Sequence, residues 1–206
     1  KSAEDSDVDA VATNNFIKTL PVNDARKAVG MFKDEYFLDY INVEEIEVGK
    51  ADDVDERVVE QAIVRNIKKF IMTFGKDFAF IGNQYHLEMF TEELFPDLLF
   101  FNRELNCMVV VELKKGAFKS GYIGQLQTYM RVLDDKIRKP HGNPTIGILL
   151  CKSADKAFVE YVIRDYNSPM GVATYKTAAD MDEKLRQSLP DVEEMRKLLV
   201  DNDEIE

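Results

Sequence analysis

Residues 98–101 and 107–113 are apolar runs rich in β-branched and aromatic side chains, and only the polar segment 102–106 separates them. Two such runs at that spacing predict a tight antiparallel hairpin. With the turn centred on Glu104 and Leu105, equal steps back along the two arms place Asp97 opposite Glu112. Lys114 lies on the same face as Glu112, about 7 Å further on, while Leu113 points the other way. The hairpin therefore ends in two carboxylates and an ammonium. Adjacent carboxylates repel, and one of them takes up a proton unless a cation sits between them. Mg²⁺, which takes oxygen from one or two carboxylates and fills its remaining positions with water and phosphate, suits such a pair. The plainer alternative is a surface salt bridge of Lys114 with both acids.

The periodicities around this hairpin predict an α/β fold, a mixed sheet of about five strands flanked by helices, begun by an antiparallel ribbon and finished by parallel crossovers. Val58, Val59, Ala62, Ile63, Ile67, Phe70 and Ile71 predict one helix over 54–73, ended by Gly75, with Glu60 interrupting the apolar series. Residues 78–90 alternate loosely around Gly82 and Asn83 and predict a strand or short hairpin arm that pairs with the ribbon. Gln84 in this segment either reaches a substrate or caps a turn, and His86 reads as a half-buried strand side chain. After the hairpin the period lengthens. Ile123, Leu126, Met130, Leu133 and Ile137 make a helical stripe that Pro140 stops, and Gln125 and Tyr129 project together from its flank. The nearly unbroken apolar run 144–152 predicts a strand buried on both faces, parallel to the Glu112 strand. A helix over 156–167, a short strand over 172–175 and two helical pieces over 180–200 follow.

Composition divides the chain into an acidic flexible tail (1–13), a helical arm and linker (14–53) and a main domain (54–206). In the arm, Phe32, Tyr36, Phe37, Tyr40 and Ile41 form a stripe suited to docking on that domain. The net charge of −11 argues by itself against a nucleic-acid partner. The excess acid, however, lies before residue 61 and after residue 175. Lys114, Lys115, Lys119, Arg131, Lys136, Arg138 and Lys139 could follow a phosphate backbone if they share a face, and are otherwise a solvated surface. No apolar stretch approaches the ~20 residues that span a bilayer, so no membrane partner is expected. Cys107 and Cys151 lack metal-ligand spacing and read as buried thiols of a reducing, cytoplasmic protein. A chain that opens on Lys1 is expected to have lost upstream residues.

Pro96, Asp97, Glu112, Leu113 and Lys114 match the PD-(D/E)XK motif of the restriction-endonuclease-like nuclease superfamily, and residues 78–175 resemble its bacterial YhcG-like branch. The acid-x-Lys half is weak alone, since residues 134–136 and 182–184 have the same form. What lifts 112–114 above them is the apolar strand it closes, the Pro-Asp pair at hairpin distance and the Gln125 and Tyr129 pair that follows. Gly82 and Gln84 resemble the family's GxQ signature. The segments around Thr19-Leu20-Pro21 and Lys33-Asp34-Glu35-Tyr36 resemble the link to an upstream DNA-binding helical region, so a missing upstream domain or partner protein is implied.

The resemblance implies a restriction-endonuclease-like core and metal-dependent hydrolysis of DNA, with Mg²⁺ as cofactor and Mn²⁺ as substitute. Asp97, Glu112 and the Leu113 carbonyl would hold the metal, and Glu60 either adds an acidic ligand from the preceding helix or is an exposed helical glutamate. Lys114 would orient or deprotonate the attacking water, and Gln125 would fix the water shell or the substrate backbone. Gln84, Lys115, Lys119 and Tyr129 would contact substrate, and the products would be a 5′-phosphate and a 3′-hydroxyl. A homodimer is expected, because cutting both strands usually takes two sites. The alternative is a catalytically inactive nucleic-acid-binding or complex-forming module of the same fold. A sugar-processing carboxylate pair is weaker, since it gives Lys114 and Gln125 no role.

Overall fold

The computed structural model describes residues 13–38, 56–75, 77–177 and 180. The tail before Thr13, the acidic connector 44–55 and the helical pieces expected over 181–200 lie outside the described residues. The arm opens with helices α1 (Phe16–Thr19) and α2 (Val22–Met31), the second started by Pro21, whose fixed φ suits a helix entry. It then departs from the expected helical stripe. Glu35–Leu38 is a strand, β1, with Tyr36 and Leu38 buried and Glu35 and Phe37 exposed. The one-residue alternation is strand periodicity, and pairing with a distant strand overrides the local spacing that looked helical.

The helix expected over 54–73 is two: α3 (Glu56–Arg65) and α4 (Ile67–Phe74). The break falls at Asn66, whose side chain donates to the Ala62 carbonyl (3.1 Å) and competes with the helical ladder. Gly75 ends α4 at φ 145°, a conformation open to glycine. Strand β2 (Phe78–Asn83) follows, then a small hairpin of β3 (Leu87–Met89) and β4 (Glu92–Leu94), then the ribbon β5 (Leu98–Asn102) and β6 (Cys107–Ala117). Helix α5 (Tyr122–Lys136) leads to β7 (Asn143–Ser153), and α6 (Lys156–Ile163), capped by Asp155, leads to β8 (Met170–Thr177).

Six strands rather than about five form the main sheet, in the order β1-β8-β7-β6-β5-β2. The ribbon is antiparallel, with Leu98 opposite Val111 and Asn102 opposite Cys107, which is the register counted from the turn. β6-β7, β7-β8 and β8-β1 are parallel, so the sheet is an antiparallel ribbon extended by parallel strands with helical connections between β6, β7 and β8. Strand alternation sends Val109, Val111 and Leu113 of β6 to one face, where Phe70, Phe74, Phe78 and Phe100 stack or meet edge to face. Met108 and Val110 face the other way, against Ile123, Leu126, Met130 and Leu133 of α5. Each of those fully buried aromatic and aliphatic side chains contributes about 1.5–3 kcal/mol by leaving water. The next two positions on the α5 face are Glu112 and Lys114, where the apolar run gives way to charge.

Candidate active site

Asp97 immediately precedes β5, and the ladder carries it to the neighbourhood of Glu112. Its Oδ2 accepts the Leu113 N–H at 2.7 Å, and its Oδ1 accepts from Gln84 Nε2 at 2.9 Å. Glu112 is 3% exposed and its Oε1 accepts from Lys114 Nζ at 2.9 Å. Its Oε2 is buried with no hydrogen-bond partner among the described residues. An unsatisfied buried carboxylate oxygen is costly unless something else fills the place.

The electrostatics follow from this crowding. Burial pushes the Glu112 carboxyl up to about 7, the Asp97 charge adds to the rise, and Lys114 offsets part of it. Burial also raises Asp97, with Glu60 adding to it, against the lowering pull of the Leu113 N–H, Lys114 and Gln84. For Lys114 burial alone would lower the pKa. The Glu112 hydrogen bond and the charges of Glu112, Glu56 and Asp97 together outweigh burial and lift it above the ordinary lysine value. Its ammonium also lies 5.3 Å from the Tyr122 ring centroid, within cation–π range.

Glu60 is a buried residue, 5% exposed, so the exposed-glutamate alternative is wrong. Its Oε1 accepts from Asn83 Nδ2 (2.8 Å) and its Oε2 from Gln84 Nε2 (2.9 Å), so the Gln84 amide bridges Glu60 and Asp97. Gln84 stands at φ 45°, a left-handed conformation rare for a side chain of its size. Leu113 contributes its N–H to Asp97 and buries its side chain in the core. Gln125 Nε2 donates to the Tyr129 hydroxyl at 2.8 Å, and Tyr129 is buried beside the acids: burial and then the Glu112 charge raise its pKa. Lys115 and Lys119 are exposed at the end of β6 and ahead of α5. The Lys115 N–H donates to Glu56 Oε1 at 3.3 Å.

Three contributors escaped the sequence reading. Glu56, one turn before Glu60 on α3, places Oε2 3.6 Å from Lys114 Nζ. Asn83 and Tyr122 are the others. The i, i+4 spacing of Glu56 and Glu60 was a usable signal for the first. His86 is exposed rather than half-buried, stacked on Phe95.

The donor set fits a divalent cation. Glu112 Oε2 is unpartnered, Asp97 and Glu60 stand near it electrostatically, and all are hard oxygen ligands. Among the described residues no three Asp, Glu, His or Cys side chains form a closed cage. Mg²⁺ does not require one, since it keeps several waters.

A family model for the YhcG PDDEXK nuclease domain matches residues 29–190. A protein of Escherichia coli (strain K12) named "Putative nuclease YhcG" is 27% identical over 157 residues, which are 76% of this chain and 40% of that protein. The chain thus spans well under half of that relative's length. Among solved structures, a repair endonuclease from Pyrococcus abyssi is 18% identical with a TM-score of 0.38, over 62% of this chain and 49% of that one. The EndoMS-dsDNA2 complex is 16% identical with a TM-score of 0.40, over 63% and 48%.

Proposed function

We propose that this chain, which belongs to the YhcG PDDEXK nuclease domain family, hydrolyses DNA phosphodiester bonds with Mg²⁺, or Mn²⁺ in its place. The observation that carries the reading is the buried, unpartnered Glu112 Oε2 between Asp97 and Lys114. Asp97 and Glu112 would hold the cation, with the Leu113 carbonyl and Glu60 as accessory oxygens. A divalent cation supplies, when bound, charge neutralisation at the scissile phosphate and a more acidic water.

The chain's own residues then have distinct tasks. The Leu113 N–H and Gln84 fix the Asp97 carboxylate from two sides, so its oxygens are aimed before substrate arrives. Glu60 orients Gln84 by accepting from the same amide. Lys114 is held as an ammonium by Glu112 and Glu56. In that state it donates to the phosphate oxygens and stabilises their developing charge, and it orients the attacking water rather than deprotonating it. Gln125 is on the exposed side of the Tyr129 hydroxyl, placed to contact a water or a backbone oxygen. Lys115 and Lys119 add positive charge at the mouth, where a phosphate backbone would run. The same reading takes the active form as a homodimer and the setting as cytoplasmic, in keeping with two free, buried cysteines. An upstream domain or partner would supply further DNA contacts.

The test is nicking of supercoiled DNA with Mg²⁺ or Mn²⁺ by the unsubstituted chain, Asp97→Ala and Lys114→Ala, with folding checked by circular dichroism. Activity should fall to background in both variants. Equal activity in all three would assign the cutting to a contaminant. Lack of Mn²⁺ binding by calorimetry would favour the inactive module.

A further inference from the structure

Between Gln84 and Asp97 the chain leaves the sheet edge, makes the β3-β4 hairpin and returns, so both legs of this excursion are rooted in the site. Two aromatic side chains stand on those legs. His86 is two residues after Gln84, Phe95 is two before Asp97, and their rings stack at 5.1 Å with an interplanar angle of 20°. Two residues reach at most about 7 Å, so the stack begins within about two nucleotide steps of the carboxylates. It is not a core contact. Phe95 is 42% exposed, the His86 side chain is exposed, and Phe90 at the hairpin tip is 88% exposed at φ 58°.

The charges around these rings select what can meet them. Residues 86–96 contain no lysine or arginine, whereas Glu88 and Glu93 face each other across the hairpin and Glu92 follows. Three carboxylates oppose a phosphate backbone, and the electrostatic attraction that dominates duplex binding is missing here. Stacking on a base needs no cation, because every base has an apolar face. We infer that the Phe95–His86 stack, extended by Phe90, is a base-stacking platform for unpaired nucleotides beside the scissile phosphate. The substrate class is therefore single-stranded or splayed DNA rather than the interior of a duplex. This rests on the nuclease reading above.

The experiment uses the full chain with Ca²⁺ in place of Mg²⁺ at one salt concentration. Binding of a fluorescein-labelled single-stranded oligonucleotide is compared with that of the blunt duplex of the same sequence, and 2-aminopurine at successive positions reports stacking. Phe95→Ala should weaken single-strand binding about tenfold, within the range of losing one stacked base. It should also remove the 2-aminopurine quench and leave duplex binding unchanged. Phe95→Trp should restore both, which a merely structural loss would not allow, and His86→Ala should act in the same direction as Phe95→Ala. Equal loss on both substrates, or an unchanged quench, overturns the platform while leaving the nuclease reading standing. If the unsubstituted chain binds neither oligonucleotide, the nucleic-acid reading itself fails and the platform falls with it.

Discussion

Without a divalent cation, Glu112 makes the folded protein less stable as pH rises. Its carboxyl is pushed from 4.5 to about 7, chiefly by burial and then by the Asp97 charge. Between those values the native state holds a proton that the unfolded chain has already released, so the unfolding free energy falls with pH. At 1.36 kcal/mol per pH unit the full loss is on the order of 3 kcal/mol. Roughly 2–3 kcal/mol of it accrues between pH 5 and pH 8, and the curve flattens above pH 7. Asp97, also raised, acts in the same direction. Asp34 and Asp180 are lowered, so their contribution is complete above the ordinary aspartate range and constant across this window. Glu112→Gln keeps the shape without the titration. Urea unfolding followed by far-ultraviolet circular dichroism in EDTA should therefore show the midpoint of the unsubstituted protein dropping by about 1 M from pH 5 to pH 8. The variant should show a distinctly shallower fall. Mg²⁺ should restore the unsubstituted protein at pH 8 by binding only the native state, and should do little for the variant. A parallel pH dependence in the two proteins, or equal stabilisation of both by Mg²⁺, would refute the assignment of Glu112 as the strained acid of the site.

Two further substitutions separate the scaffold from the site. Phe100, fully buried and in contact with Phe70, Phe74, Phe78 and Phe80, should lose about 3–5 kcal/mol on Phe100→Ala. A loss under about 1 kcal/mol by urea unfolding would contradict that packing. Gln84→Gly relieves a left-handed backbone but removes the amide that bridges Glu60 and Asp97. The opposing effects should leave stability within about 1 kcal/mol of the parent, while nicking falls at least about tenfold because Asp97 loses one of its two supports. Full activity in this variant would remove Gln84 from the site.

The ribbon was legible because its register depends only on counting from a turn. The pairing of Leu98 with Val111 fixes Asp97 near Glu112 without knowledge of any helix. The apolar run that became β7 was legible too, since a strand covered on both faces has nowhere to put polar side chains. β1 was not. Phe32, Tyr36, Phe37 and Tyr40 are spaced like a helix face, and the decision for a strand comes from the parallel pairing of Glu35–Leu38 with residues 174–177 of β8. The break at Asn66 was hidden for the opposite reason. The apolar spacing continues across it, and only the side-chain bond to Ala62 reveals that the ladder is interrupted.

The least legible part of the candidate site is also the part that organises it. β2 pairs Phe80 with Phe100 but Gly82 with Leu99, so one extra residue is accommodated at Ile81. Had the register continued unbroken, Asn83 would stand opposite Asp97 and the Gln84 side chain would start from the wrong face. With the bulge, the Gln84 N–H meets the Asp97 carbonyl at 3.0 Å and its amide reaches both acids. Asn83, one step back, turns its own amide to Glu60. A single irregularity thus recruits an acid from α3 to a sheet edge already holding Asp97 and Glu112. No periodicity in the sequence announces a bulge, because its signature is one residue out of phase. The Gly82-Asn83 pair marks only that the strand may bend there. The carboxylates of the site were therefore readable from strand arithmetic, whereas the groups that hold them in place depend on a register shift that only the folded sheet defines.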